Sequence, residues 1–221
     1  MKKKILIVGA NGKMGSVVCK ELENDYEIIK GLKEENWEDF QAEMIIDFGS
    51  AESSVMSAEF AFKNRVPLIV GSTGQTEKQF QKIRELARDV PFMICSNFSV
   101  GISKMKKCVT EILKGDVSDV CIFEKHHKLK KDAPSGTALS FEKLILTKTK
   151  VPIQMLAERG GEEIGTHKID FYFGSELVSI SHQAFSRKAF AEGIVKAIRF
   201  MLNQKDSKEY FFDDMVWQTG H

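Results

Sequence analysis

Side chains that can move protons and bind anions crowd one short stretch, Glu124–Ala138. Four lysines and two adjacent histidines, His126 and His127, fall within seven of its residues. A histidine with a pKa of about 6.5 can supply a proton at neutral pH, and a lysine can donate a proton or stabilise developing negative charge. Neighbouring cations make both groups better acids, because like charges disfavour the protonated form. The stretch therefore suits a reduction in which hydride transfer to a conjugated imine is completed by a proton.

The same stretch leads into Ser135-Gly136-Thr137 at a predicted helix start. A helix N-terminus is a binding site for a small anion. A basic run by itself is usually a solvated face or a nucleic-acid patch, but neither needs that last element. The whole chain carries 32 basic and 31 acidic residues, a net charge of +1, which gives no global electrostatic case for nucleic acid or a membrane surface. We therefore expect a small anionic substrate, with neither nucleic acid nor a membrane as partner.

A glycine loop, Gly9–Gly15, follows the first apolar run, Ile5–Val8, and opens a helix. Glycines let the backbone turn tightly and approach a pyrophosphate, which the helix N-terminus then stabilises. The spacing Gly-x-x-Gly-x-x-Gly departs from the common fingerprint, and a glycine-rich turn without a ligand is the alternative. Its position at the first strand–helix junction favours a dinucleotide site.

The residue that would contact the adenosine ribose is ambiguous. Lys33 would favour a 2′-phosphate and Glu34 a free 2′-hydroxyl, whereas both would be ordinary charges if this is a solvated loop. Use of both NADH and NADPH is the prediction.

Strand and helix signals alternate through the first half of the chain, which predicts βαβ units and a parallel sheet. The second half has strands that alternate apolar and polar residues, as at 169–173 and 178–181, which predicts a sheet with one face buried. A helix with an apolar face returns at 189–203. The predicted fold is α/β: a Rossmann-like nucleotide domain with a parallel sheet, and an inserted mixed α/β substrate and oligomerisation domain.

Compartment and metal content follow from what the sequence lacks. The basic start is followed by an apolar run of four residues, shorter than the roughly 7–15 of a secretory signal, and no run approaches the roughly 20 residues of a membrane span. The four cysteines form no zinc-binding pattern. The sequence predicts a cytoplasmic protein without a metal.

The stretch Glu124–Ala138 matches, at every fixed position, the Glu-x-His-His-x-x-Lys-x-Asp-Ala-Pro-Ser-Gly-Thr-Ala signature of the dihydrodipicolinate reductases. The chain resembles this family over nearly its whole length. Shorter segments also resemble family motifs, namely Gly9–Gly15, Ile46–Phe48, Gly71–Gly74, Ser96–Gly101 and Arg159–Gly161.

The resemblance implies reduction of 4-hydroxy-tetrahydrodipicolinate, with loss of water, to tetrahydrodipicolinate. The substrate is a small dianionic dicarboxylate, and the reaction belongs to the diaminopimelate and lysine pathway. It implies His126 as acid/base and Lys130 as proton donor. The substrate-binding residues implied are His127, Ser135, Gly136 and Thr137. The cofactor-binding residues implied are Gly9, Ala10, Asn11, Gly12, Lys13, Met14, Gly71, Ser72, Thr73, Cys95, Ser96, Asn97 and Phe98. Lys33 and Phe48 are added because they follow the second and third predicted strands, at the edge where a dinucleotide binds.

The family also implies a homotetramer and two domains, with residues 1–98 and 187–221 binding the dinucleotide and residues 99–186 binding substrate. Because the two ligands would lie in different domains, we expect nucleotide to tighten dicarboxylate binding. Two other functions stay open: a related NAD(P)-dependent reductase of another small dicarboxylate, and a nucleotide-sensing binding protein. The second would be expected to have lost His126 or Lys130.

Overall fold

The structure is a computed structural model that describes residues 1–31, 37 and 40–218. The chain forms two compact units. The first comprises Met1–Phe98 together with the chain from Phe190 onwards, and the second comprises Ser99–Ala189.

The first unit is built on a parallel sheet of five strands in the order β2-β1-β3-β4-β5. Four of the strands are almost wholly buried and apolar, as expected for parallel strands covered on both faces. The strands are β1 Lys4–Val8, β2 Glu27–Gly31, β3 Met44–Asp47, β4 Leu68–Val70 and β5 Phe92–Ile94. The predicted parallel sheet is confirmed.

Helices α1 Lys13–Leu22, α2 Ala51–Asn64 and α3 Glu77–Ala87 connect these strands. The spacing of Thr76 and Gln79 predicts a capping box, and the box is present at the start of α3, because the two residues exchange side-chain and backbone hydrogen bonds. Helix α6, Lys188–Met201, returns to the first unit, where a Cβ on Gly193 would lie 1.8 Å from the carbonyl oxygen of Phe98. A short helix, α7 Phe212–Gln218, follows it.

The strand order places the loops that follow β1, β3, β4 and β5 at one edge of the sheet. The chain runs from β1 to β2 on one side and returns through β3 to the other. In open parallel sheets, ligands bind beyond the carboxyl ends of the strands where the order reverses. The candidate dinucleotide site is therefore the edge between the ends of β1 and β3.

The second unit has a four-stranded mixed sheet in the order β7-β6-β8-β9. Its strands are β6 Asp119–His126, β7 Ile153–Arg159, β8 Gly165–Phe173 and β9 Glu176–Ala184. Only the pair β6–β7 is parallel. Helices α4 Val100–Ile112 and α5 Gly136–Leu146 pack on one face around an apolar core that includes Ile122, Phe141 and Phe171. The predicted mixed sheet with one buried face is confirmed.

Several elements differ from the sequence prediction. Helix α4 and strand β7 are not predicted, since lysines dilute the apolar face of the first and polar residues alternate irregularly in the second. The sequence pattern predicts a strand at Val117–Glu124, but β6 continues to His126, because pairing with β7 and β8 extends into the polar residues. No helix among the described residues is long and apolar enough to cross a bilayer.

Candidate functional site

The glycine loop between β1 and α1 has no room for a side chain at Gly9 or Gly15. Gly9 has a φ of +75°, and a Cβ there would lie 2.7 Å from the carbonyl carbon of Phe48. A Cβ on Gly15 would lie 2.1 Å from the carbonyl oxygen of Gly9. Helix α1 begins at Lys13, directly after Gly12. The loop thus brings bare backbone and a helix N-terminus to the sheet edge, which is the arrangement that holds a pyrophosphate.

A cleft of about 200 Å³ opens beside this loop. Four of the predicted cofactor residues line it: Gly9, Ala10, Asn11 and Gly12. Its other lining residues were not predicted and come from the ends of β1, β2 and β3 and the start of α2, namely Val8, Gly31, Gly49, Ser50 and Ser53. The predicted ribose contact, Lys33, lies outside the described residues.

Asp47, at the end of β3, is a buried carboxylate that organises this edge. It accepts hydrogen bonds from the Gly49 amide (3.2 Å) and the Ser57 hydroxyl (3.1 Å), and its carbonyl accepts the Ser72 amide (3.1 Å). Burial raises its pKa, although hydrogen bonds led by that from Ser72 oppose this. Asp47 therefore fixes the loops after β3 and β4 without facing the cleft, and sequence reasoning did not single it out.

The loops after β3, β4 and β5 meet through two aromatic rings. Phe48 and Phe98 pack edge to face with centroids 6.5 Å apart. A Cβ on Gly71 would lie 2.4 Å from the Phe48 ring, so a larger residue there would have to displace that ring. The Cys95 thiol donates to the carbonyl of Asn97 at 3.1 Å.

The structure thus brings most of the predicted cofactor residues to one edge. Those after β4 and β5 are Gly71, Ser72, Thr73, Cys95, Ser96, Asn97 and Phe98, while Lys13 and Met14 begin α1.

In the second unit, strand alternation carries a row of polar residues onto the buried face of the sheet. Glu124 and His126 continue the face that begins with Val120 and Ile122. The register places Arg159 of β7 beside His126, and His167 of β8 beside Glu124. Three adjacent strands therefore converge at the end of the apolar core.

Glu124 is fully buried and both of its carboxylate oxygens are engaged. Its Oε1 accepts from Arg159 Nη2 (2.7 Å) and from the Ser135 amide (3.2 Å), and its Oε2 makes a short hydrogen bond with His126 Nδ1. Burial alone would raise the pKa of Glu124, but the hydrogen bonds and charges of Arg159 and His126 outweigh it and hold the pKa below its ordinary value. Glu124 is thus ionised at neutral pH and, as a carboxylate, can only accept hydrogen bonds.

His126 is 8% exposed and has its other nitrogen, Nε2, against Gly165, where a Cβ would lie 2.9 Å away. Burial lowers the pKa of His126, and the charges of Lys130 and Arg159 lower it further, while Glu124 opposes the shift. His126 is therefore neutral at neutral pH, yet it keeps a carboxylate partner that stabilises it when it takes up a proton.

His167 packs edge to face on His126 with ring centroids 5.2 Å apart. Burial, followed by the charge of His126, lowers its pKa to about 3. Its Nε2 hydrogen-bonds the Ser135 hydroxyl at 3.3 Å, and its Nδ1 has no partner among the described residues. His167 thus stays neutral while His126 changes charge.

The loop after β6 carries the predicted proton donor. Lys130 Nζ donates to Asp132 at 2.8 Å, and the Lys130 amide donates to the carbonyl of His127. Arg159 Nη2 also donates to the Asp132 carbonyl at 2.5 Å. The His127 amide donates to the carbonyl of Glu163 at 2.8 Å. Lys130 is therefore held at the same end of the sheet as His126, and it acts on His126 electrostatically.

Helix α5 begins at Gly136, with Ser135 as its cap. The Ser135 hydroxyl accepts from the Ala138 amide (3.2 Å) and also contacts His167. With its hydroxyl engaged twice, Ser135 stabilises the helix start rather than presenting a free hydroxyl. The predicted anion site therefore consists of the first turn of α5, at Gly136 and Thr137.

Donor atoms of Glu124, His126 and His167 lie within 4.8 Å of one another, a spacing that a metal ion would accept. Both Glu124 oxygens are already occupied by Arg159, Ser135 and His126. The cluster is therefore organised as a hydrogen-bond network around a proton.

Sequence reasoning missed Glu124, Arg159 and His167 as members of the site. Glu124 is a fixed position of the motif, and Arg159 begins a segment that resembles a family motif, but neither this segment nor the position of His167 on a predicted strand assigns a role. One signal was available for Glu124: a charged residue continuing the buried alternation of β6. The pairing with Arg159, 35 residues along the chain, could not be read from spacing.

A parallel sheet with a glycine loop at its switch point, joined to a mixed-sheet unit that carries a proton-transfer cluster, defines a dinucleotide-binding oxidoreductase. The family model described as the N-terminus of dihydrodipicolinate reductase matches residues 3–98, and the model of its C-terminus matches residues 101–216. The chain belongs to the dihydrodipicolinate reductase family, and the resemblance drawn from Glu124–Ala138 is confirmed.

Relatives match over the whole chain. A 4-hydroxy-tetrahydrodipicolinate reductase from Caldanaerobacter subterraneus subsp. tengcongensis is 33% identical over 248 residues, covering 96% of this chain and 98% of its own. The solved structure of a dipicolinate-bound dihydrodipicolinate reductase from Paenisporosarcina sp. TG-14 has a TM-score of 0.77 at 20% identity, covering 97% of this chain and 99% of its own. A scyllo-inositol dehydrogenase from Lactobacillus casei, solved with NAD(H), has a TM-score of 0.64 at 10% identity, covering 98% of this chain and 93% of its own. The two structures show that the fold is shared.

Proposed function

We propose that this protein catalyses the NAD(P)H-dependent reduction of 4-hydroxy-tetrahydrodipicolinate to tetrahydrodipicolinate. The observation that carries the proposal is the hydrogen-bonded pair of Glu124 and His126 at the end of β6, in the unit where α5 presents its N-terminus. The family and its relatives named 4-hydroxy-tetrahydrodipicolinate reductase support the choice of substrate.

The substrate is a small dianion, and the second unit offers groups suited to its carboxylates. The first turn of α5, at Gly136 and Thr137, supplies backbone N–H groups and the positive end of a helix dipole. His127 precedes Lys130 on the same loop and adds a side chain that can donate a hydrogen bond. The dipicolinate bound to the Paenisporosarcina relative is a planar dicarboxylate of this class.

The reduced nicotinamide supplies a hydride, and this chain's residues supply the matching proton. Lys130 donates a proton to the reduced ring or stabilises its developing charge, and the substrate's hydroxyl leaves as water. His126 exchanges a proton at Nε2 as acid/base, while Glu124 balances the charge of its protonated form. The cleft at the glycine loop of the first unit would hold the dinucleotide, since Gly9, Asn11 and Gly12 line it. We propose that both NADH and NADPH are used, with Lys33 contacting the 2′-phosphate of NADPH.

Turnover with synthase-generated substrate, followed through oxidation of NADH and NADPH, tests this function. Oxidation that depends on the substrate supports the proposal. Oxidation only with a different dicarboxylate would establish the related reductase instead, and nucleotide binding without turnover would establish a binding protein.

A calorimetric titration tests the coupling between the two ligands. We expect pyridine-2,6-dicarboxylate to bind more tightly in the presence of NADH, because the energetic coupling of two ligands is reciprocal. Equal affinity with and without NADH would contradict this coupling, and absence of binding would contradict the substrate class.

We further propose a homotetramer assembled through the open face of the second sheet. Apolar side chains lie exposed on that face, including Leu156, Tyr172 and Leu177. Leu177→Lys is expected to yield smaller assemblies by sedimentation, and Leu146→Lys, an exposed leucine on α5, serves as the control. A monomeric parent protein would contradict this proposal.

The four cysteines are free thiols, which accords with the cytoplasm as the proposed location.

A further inference from the structure

We propose that Glu124 and Arg159 are positioning residues that fix the proton of His126 on Nδ1 and thereby reserve Nε2 for the reaction. This proposal rests on the proposed function only for its kinetic test. Neither residue contacts the reacting atoms, and each acts through His126.

Both carboxylate oxygens of Glu124 already accept hydrogen bonds. Its side chain is fully buried, and three different groups already donate to it: the Arg159 guanidinium, the Ser135 amide and His126 Nδ1. An ionised carboxylate can only accept hydrogen bonds, so His126 must donate through Nδ1. In neutral His126 the lone pair is then on Nε2.

Arg159 supplies the positive charge beside the Glu124 carboxylate. Without a cation beside it, a fully buried carboxylate would take up the shared proton itself, because burial disfavours the charged form. Arg159 Nη2 contacts Glu124 Oε1 at 2.7 Å and is itself tied to the loop through the Asp132 carbonyl. Arg159 therefore keeps Glu124 ionised and joins it to the loop that carries Lys130.

The other ring nitrogen of His126, Nε2, lies against Gly165. Gly165 on β8 leaves space beside this nitrogen, since any larger residue would place a Cβ 2.9 Å from it. Charged and titratable groups reach His126 from every neighbouring element, namely Glu124 of β6, Arg159 of β7, His167 of β8, and Lys130 and Glu163 of the flanking loops. Among them only Glu124 hydrogen-bonds the ring, so it alone sets the tautomer.

Glu124→Gln is the decisive variant, because glutamine keeps the shape but can donate to Nδ1 and so moves the proton to Nε2. We expect kcat to fall by roughly 10²–10⁴-fold, the range of general acid–base catalysis, with NADH affinity unchanged. The pKa that governs the kcat–pH profile should also fall, because the carboxylate charge that favours protonated His126 is gone.

A matched control lies on the opposite face of the same two strands. Lys125 and Glu158 form an exposed ion pair of 2.6 Å between β6 and β7. Glu158→Gln removes that pair, and we expect it to leave kcat and the pH profile unchanged. An equal change in both variants would show that Glu124 is merely structural and would overturn the proposal.

Nitrogen-15 spectra of the histidine rings test the tautomer without any turnover. We expect wild-type His126, assigned by its loss in His126→Asn, to carry its proton on Nδ1 at neutral pH and to do so in Arg159→Lys, which keeps the charge. An Nε2-protonated ring in the wild type would overturn the proposal even if the enzyme is active. An Nδ1-protonated ring in a protein that does not reduce the substrate would support the positioning role of Glu124 and Arg159 and would contradict only the proposed function.

Discussion

The two candidate ligand-binding regions differ in the groups that form them. The nucleotide edge of the first unit depends on glycines, because a Cβ on Gly9, Gly15 or Gly71 would collide with its neighbours. The cluster of the second unit consists of buried charged side chains around His126. The first region should therefore fail through shape, and the second through charge and proton placement.

The largest effect is expected in the charge-based region. His126→Ala and Lys130→Ala should each lower kcat by roughly 10²–10⁴-fold, because each removes a group that handles the proton, while NADH affinity stays the same. Steady-state kinetics and calorimetric NADH titration measure the two quantities. Lys131→Ala, an exposed neighbour, is the control, and near-normal kcat in both variants would remove these residues from the mechanism.

The shape-based region should fail at Gly15. Alanine inside a helix is normally favoured over glycine by roughly 1 kcal/mol, but here its Cβ would lie 2.1 Å from the carbonyl oxygen of Gly9. Gly15→Ala should lower the free energy of unfolding by about 3 kcal/mol, at the upper end of overpacking costs, and abolish NADH binding. The control Gly160→Ala, whose nearest contact would be 3.7 Å away, should do neither. Normal NADH binding by Gly15→Ala would refute the backbone account of this loop.

Lys33 would add a side-chain charge to a region that otherwise depends mainly on shape. Lys33→Glu should weaken NADPH binding by about 2 kcal/mol, the size of one charge-assisted hydrogen bond, and leave NADH binding largely unchanged. Titration with both cofactors distinguishes the outcomes. Equal losses for NADH and NADPH, or no loss, would mean that Lys33 does not contact the 2′-phosphate.

The smallest effect concerns stability against pH. His167 has a pKa of about 3 in the folded protein against an ordinary value of 6.5, so between these values the unfolded chain binds a proton that the folded chain does not. Its contribution is complete above pH 6.5 and is lost as the pH falls toward 3. At pH 5.5 the loss is about 1.4 kcal/mol.

Denaturation of wild type and His167→Asn at pH 7.5 and 5.5 isolates this contribution. The wild type should lose that much more stability than the variant over the interval, since the other titrating groups are common to both. Identical losses would mean that His167 is not held neutral by burial.

How far the sequence predicted these regions follows from how local each one is. The glycine loop and the Thr76 cap are written in consecutive residues, so both could be predicted. His126 and Lys130 were found through a contiguous motif. Glu124 acquires its role only when β7 and β8 bring Arg159 and His167 beside it, and such pairing depends on strand register, which one sequence does not specify. The region that includes Lys33 lies outside the described residues, and its role stays a prediction.

The alternation of β6 also limits how this chain can change length. Neighbouring residues of a strand face opposite sides of the sheet. Glu124 and His126 therefore face the core, while Lys125 between them faces the other side. A single inserted or deleted residue between Val120 and Glu124 would exchange the two faces, turning Lys125 inward and the carboxylate out. The turn after Phe173, where Gly174 has a φ of +61°, is a place where such a change is expected to be absorbed. Changes in length are therefore expected in the loops of this unit. Within β6, only substitutions that keep the number of residues keep Glu124 and His126 on the core face.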